Sequence, residues 1–151
     1  TYKFTHPLPN DLRRIAEQSS GILLNWYLTD WTQTTNRIDY GISDLNTSKE
    51  KSVITLERIG LMPMPLEVLV KFKSGKESIY YIPIDLMRGE KEKPEYASNW
   101  IQIPDWSWAH KKYSFEIDHK LDSILSIDIN PTRLIADTDE SNNIFMSNND
   151  E

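Results

Sequence analysis

The side chains best able to do chemistry in this chain are few. Its imidazoles are His6, His110 and His119, and it has no cysteine. A thiolate nucleophile, a thiolate zinc site and a disulfide are therefore excluded. A peptidase-type zinc site would need H-E-x-x-H, which sets two imidazoles one helical turn apart with a carboxylate as base. None of the three histidines stands in that motif, and no two are four residues apart. No G-x-S-x-G elbow or phosphate-cradling glycine loop occurs, and five glycines leave little material for one. Asp137, Asp139, Asn142 and Asn143 form D-x-D-x-x-N-N, a cluster of hard oxygen donors of the kind calcium prefers, and they are the candidate calcium ligands. The twelve-residue EF-hand loop is not matched. The favoured reading of the same residues is a polar turn in which Asp and Asn side chains bond nearby backbone N–H groups.

Tryptophan is the second feature. Trp100, Trp106 and Trp108 lie close together in sequence. Exposed indoles could stack on sugar rings or line a protein interface, whereas buried ones would cap a core or anchor a neighbouring domain. The spacing of Trp106 and Trp108 predicts both rings on one strand face. Burial is the favoured reading. A carbohydrate- or protein-binding module using these rings is the alternative.

The elements that must position these groups are mostly strands. Leu66, Val68, Val70 and Phe72 alternate with Glu67, Leu69, Lys71 and Lys73, which is a strand with one face buried. Ser74-Gly75 predicts a two-residue turn, and Ile79, Tyr80, Tyr81 and Ile82 centre the returning strand. Pro63 and Pro65 stiffen the entry to this hairpin. Lys71, Lys73 and Lys76 read as solvent-facing charges that also discourage edge pairing. Strands are further predicted around Ile38, Tyr40 and Ile42, over 52–59, over 112–118 with Tyr113, Phe115 and Ile117 inward, and over 123–130 with Leu125, Ile127 and Ile129 inward. A polar turn is expected at 46–50 and a long charged loop at 87–99. Six or seven short strands of this kind predict an immunoglobulin-like β-sandwich. The acidic, Asn-rich segment 141–151 is expected to be a tail, its last few residues mobile.

Residues 1–36 read as two short helices. Pro9 suits the first position of the first helix, and Asp11 its positive dipole end. Leu12, Ile15, Ala16 and Ser19 share one face. Gly21 supplies a left-handed stop, and Asn25 is the expected N-cap of a second helix carrying Trp26, Tyr27, Leu28 and Trp31. So much aromatic surface cannot be buried by two short helices alone. Trp26, Tyr27 and Trp31 are thus candidate interface residues, and self-association of the isolated chain is expected to run through this segment.

The totals narrow the class. A length of 151 residues, 38% hydrophobic and 26% charged, suits one soluble domain with an appendage. A formal charge of −6 argues against nucleic acid or an anionic membrane as the main partner. No apolar run approaches the ~18 residues of a membrane span.

The opening FTHPLPNDLRRIAEQSSGILLNWYLTDW resembles the last helices of the catalytic region in aminopeptidase N-like zinc metallopeptidases, the gluzincin aminopeptidases. The matching positions are His6, Pro7, Pro9, Asp11, Ser20, Gly21, Leu24, Trp26, Tyr27 and Trp31. Leu8 stands where the family carries a capping Thr, and Leu23 where it carries an acidic residue. RIGLMPMPLEV, YYIPIDLMRGEK, WSWAHKKYSFEI and ADTDESNN are similar to the C-terminal β domain of a bacterial branch of that family. The resemblance implies a C-terminal segment: the end of a peptidase catalytic region over 1–36, then a β-sandwich over 37–140. The family's zinc ligands and general base would lie before Thr1, so zinc is expected in the parent catalytic domain, and no catalytic residue or cofactor here. The implied partner is that missing N-terminal catalytic region of the same chain, on which the β domain would pack. An exported or periplasmic parent is compatible with this, but nothing in the residues sets the compartment.

Overall fold

The computed structural model describes residues 6–147. The expected mobility of the last few residues falls on 148–151, outside them. The fold is mostly β: two helices lead into a sheet of three strands and a sheet of five.

Helix α1 (Pro9–Ser20) starts where proline costs nothing, and Gly21 ends it at φ 73°. Leu8 occupies the N-cap without a side chain that could accept a bond. Asp11 compensates in part, its carboxylate accepting the Leu8 N–H at 2.9 Å. Helix α2 (Asn25–Gln33) departs from expectation at its start. Leu24 is the N-cap and Asn25 the first helical residue. The Asn25 side chain is engaged elsewhere, accepting from Arg13 Nη1 at 2.6 Å, while the Leu24 N–H donates to Glu17. The two helices are thereby tied to each other rather than capped independently.

The three-stranded sheet has the order β1 (Tyr40–Ser48), β2 (Lys51–Arg58), β6 (Lys112–Ile117), antiparallel throughout. β1 runs further than expected. Residues 46–48 pair with β2, and only Lys49, at φ 58°, and Glu50 form the turn. A bulge between Ile42 and Asp44 resets the inward phase so that Ile42 and Leu45 both reach the core.

The five-stranded sheet has the order β5 (Trp100–Gln102), β4 (Glu77–Ile82), β3 (Leu66–Phe72), β7 (Ile124–Ile129), β8 (Ile144–Met146). β4 and β5 are parallel, joined by residues 83–99, in which a 3-10 turn at Asp85–Met87 leads into the loop expected at 87–99; the other pairs are antiparallel. The alternation expected along β3 is present, with Leu66, Val68, Val70 and Phe72 buried and Lys71 exposed. The hairpin connection is longer than predicted. Gly75 N–H donates to Phe72 O and Phe72 N–H to Lys76 O, both at 2.9 Å, which closes a 73–75 loop with Gly75 at φ 82°. That is a turn followed by a left-handed bulge residue, which tolerates little but glycine. β3 is also central, flanked by β4 and β7, so Lys71 solvates an outer face and guards no edge.

Two further readings are corrected. In β7 the buried residues are Ile124, Ile127 and Ile129, and Leu125 is only half-buried. A register shift opposite Lys71/Phe72 skips Leu125 and breaks simple alternation. The segment 141–151 is not a tail throughout. Asn143 is fully buried, and Ile144–Met146 forms the eighth strand, paired with β7.

One core joins the sheets. Ile54, Leu56, Phe115 and Ile117 from the smaller sheet meet Val68, Val70, Ile82, Ile124 and Ile127 from the larger. Each such side chain contributes about 1.5–3 kcal/mol by leaving water. Gly60 permits a close backbone crossing at the entry to this core. A Cβ there would sit 2.2 Å from Arg37 O. Its N–H instead donates to Asp39 O, and Met62 N–H to Arg37 O. Ile22, Trp26 and Tyr27 pack against the core, and Leu23 N–H donates to Met87 O at 2.8 Å. The helices are thus docked on the β part. No residue of α1 is buried.

Candidate functional site

The D-x-D-x-x-N-N segment lies against the start of β1, where Ile38 and Asp137 form an isolated parallel bridge. Asp137 is its hub. Oδ2 accepts from Tyr40 N–H at 3.2 Å and from Asn143 Nδ2 at 3.1 Å, and Oδ1 accepts from Asp139 N–H at 3.1 Å. Asn142 Nδ2 donates to Asp39 Oδ1 at 3.2 Å, and Thr138 N–H to Ile38 O at 3.0 Å. Asp139 turns outward, where its Oδ1 accepts from Ser141 Oγ at 2.5 Å and from Ser141 N–H at 3.0 Å. The Ser141 hydroxyl and then the Ser141 N–H hold the Asp139 carboxyl below its ordinary range. The carboxylates the sequence offers as calcium ligands are therefore engaged with backbone and amide donors. The arrangement is the polar-turn reading extended into a clasp between residues 37–40 and 137–143. No three His, Asp or Glu side chains gather to hold a metal ion among the described residues.

Tyr40 completes the clasp on its inner side. Its hydroxyl donates to Met64 O at 3.2 Å and accepts from Met64 N–H at 2.8 Å. Burial, only partly offset by the Met64 hydrogen bond, pushes its pKa up to about 12. A phenol whose folded pKa exceeds its unfolded value of about 10 contributes stability that is complete below pH 10. That contribution is lost as pH rises from 10 to 12, by a total of about 3 kcal/mol. Denaturant midpoints measured across this window are expected to fall, and Tyr40→Phe is expected to flatten that part of the profile.

The histidines do not converge. His6 and His110 are exposed, and the His119 ring lies on Phe72 with centroids 4.3 Å apart. The tryptophans do not share a face either. Trp106 is only 3% exposed. It crosses Tyr40 edge-on at 5.5 Å, stacks on Tyr113 at 5.4 Å and donates from Nε1 to His110 O. Trp108 is 52% exposed, in the turn beyond it. Trp106 belongs to a bridge with Ile84 rather than to a continuous strand, so the two-residue spacing does not set the rings side by side. Trp100 is half-buried, stacked on Tyr81 at 5.0 Å. No joint aromatic platform results.

Of the helical residues, Trp26 and Tyr27 are half-buried with rings edge-on at 5.7 Å, and Trp31 is half-exposed against Tyr27. The larger apolar surface lies on α1, where Leu12 is 67% exposed and Leu8 and Ile15 are open as well. Leu8, Leu12 and Ile15 follow i, i+4, i+7 and form one stripe.

Sequence reasoning missed one polar cluster. Glu67, on the outer face of β3, accepts from Lys91 Nζ and from the Tyr96 hydroxyl, both at 2.6 Å. Lys91 N–H donates to the Tyr81 hydroxyl. Beside it, a cleft of about 190 Å³ is walled by Met64, Pro65, Leu134 and Ile135. Glu67 looks in sequence like any outward strand residue, and only the long loop folding back over the sheet brings Lys91 and Tyr96 to it. The ion pair closes this loop on the sheet and leaves neither charge free for acid–base work.

Among the described residues no helix is long and apolar enough to cross a membrane. Comparison with family models, with curated proteins and with solved structures returns no match to this chain.

Proposed function

We propose that this chain is a noncatalytic C-terminal domain of a zinc-dependent aminopeptidase-like protein, whose role is to pack on and support the catalytic region. The apolar stripe of α1 carries the reading. A helix with Leu8, Leu12 and Ile15 open to water and no buried residue of its own needs a partner surface. That helix is also where the chain resembles the end of a peptidase catalytic region. The neighbouring α2 is anchored to the β domain through Trp26 and Tyr27, so α1 is presented on a fixed base. The partner is the catalytic region expected to precede residue 1, and zinc belongs there. The carbohydrate-binding alternative draws no support from rings of which one is buried and the others lie apart.

The test has two parts. The purified chain is expected to bind no stoichiometric zinc and to release nothing from an aminoacyl reporter. Supplied in trans, it is expected to bind the separately produced preceding segment, and Leu12→Asp with Ile15→Asp should weaken that binding at least tenfold. One zinc per chain with matching hydrolysis, or binding indifferent to the double substitution, would overturn the proposal.

A further inference from the structure

The far end of the β1–β2 hairpin carries chemistry independent of the α1 stripe. Asn46-Thr47-Ser48 has the pattern Asn-x-Ser/Thr of an N-glycan acceptor, with a residue other than proline in the middle. Asn130-Pro131-Thr132 has the same outline, but its central proline excludes it. Asn130 is also buried, its amide donating to Ile135 O at 2.9 Å. Asn46 is the opposite case. Every residue from Asn46 to Lys51 is exposed, and the chain turns back at Lys49 and Glu50. β1 is an edge strand of its sheet, so no strand pairs with its free side.

Side chains two apart on a strand share a face. Past the bulge, Asp44, Asn46 and Ser48 therefore line one face of β1, opposite Leu45, which packs on the core. Asp44 Oδ2 accepts from Asn46 Nδ2 at 2.6 Å, so carboxylate and amide stand side by side. The Ser48 hydroxyl has no hydrogen-bond partner among the described residues. Beyond Leu45, β1 buries no side chain, and the pairs from Asn46 with Val53 outward can part at little cost.

We propose that Asn46 is an N-glycan acceptor, presented by this hairpin to an oligosaccharyl transferase of the bacterial type. Such an enzyme reads the hydroxyl two residues after the asparagine and an acidic residue two before it, the places of Ser48 and Asp44. The donor is a lipid-linked oligosaccharide diphosphate. Asn46 Nδ2 bonds to the anomeric carbon of the first sugar, and the bond from that carbon to the diphosphate oxygen breaks. The lipid diphosphate leaves with the electron pair, and one Nδ2 proton passes to a base of the transferase. Nothing is oxidised or reduced. Asp44 must release Nδ2 first, which gives up one exposed hydrogen bond for contact with the enzyme. The glycan, bulky and solubilising, then stands in solvent at the hairpin end and displaces no core residue.

The experiment incubates the folded full chain with a bacterial-type oligosaccharyl transferase and a lipid-linked oligosaccharide diphosphate. Intact mass is expected to rise by one glycan, and peptide mass spectrometry should find it on Asn46. Asn46→Gln should abolish incorporation, and Ser48→Ala and Asp44→Ala should each reduce it at least tenfold. All three side chains are exposed, and a matched thermal melt checks that the variants fold. A peptide spanning residues 42–50, run alongside, separates the sequence from its presentation on the hairpin. A folded chain that takes no glycan would overturn the proposal, whether or not the peptide accepts one. Incorporation indifferent to Ser48→Ala or Asp44→Ala, or a glycan on another asparagine, would overturn it as well. None of these outcomes bears on binding of the preceding segment through α1.

Discussion

Val70→Asp is expected to remove most of the stability of the β domain, at a cost of about 4 kcal/mol or more. Val70 has no exposure and lies on the central strand of the larger sheet, paired with Ser78 on one side and Ile127 on the other. A carboxylate there has no cation to meet. It must either remain charged in an apolar layer or take up a proton at neutral pH, and both routes cost free energy. Since domains of this size have only about 5–15 kcal/mol in hand, the variant sits near the unfolding threshold. Lys71→Asp, one residue on and facing solvent, is expected to shift stability by no more than about 0.5–1 kcal/mol. Denaturant midpoints for the two variants decide the matter. Equal losses would mean that the register of β3 is wrong.

Asp137→Ala is expected to cost about 2–4 kcal/mol, because it orphans Tyr40 N–H and the Asn143 amide together. Asn143 is fully buried, so water cannot replace the lost acceptor. Asp139→Ala, on the exposed side of the same segment, should cost no more than about 1 kcal/mol, the scale of a cap at a short helical turn. Millimolar calcium is expected to leave the melting temperature of the native chain unchanged. A calcium-dependent rise abolished equally by both substitutions would restore the metal reading, since a ligand that binds only the folded state must stabilise it. The contrast between the two aspartates is what a clasp predicts and a coordination shell does not.

Local pattern was enough to predict both helices, the hairpin and the inward faces of β3 and β6, because each is written in residues adjacent on one element. Pro9 and Gly21 bracket α1 by backbone chemistry that needs no partner, and the period-2 run from Leu66 to Phe72 can bury only one face. The lack of cysteine and of a zinc-binding motif likewise follows from the residues alone. The errors have the opposite origin. The Asn25 side chain cannot cap α2 because Arg13, on the neighbouring helix, binds it. Leu125 loses its inward place to Ile124 because a bulge against β3 skips a residue, and no local pattern encodes that register. Residues 141–147 look like an acidic tail because their burial depends on Asp39 and β7, which are distant in sequence. Which carboxylates are consumed by structure and which tryptophan is buried were decided by long-range pairing. Each depends on what a side chain meets across the fold rather than on what stands beside it in the chain.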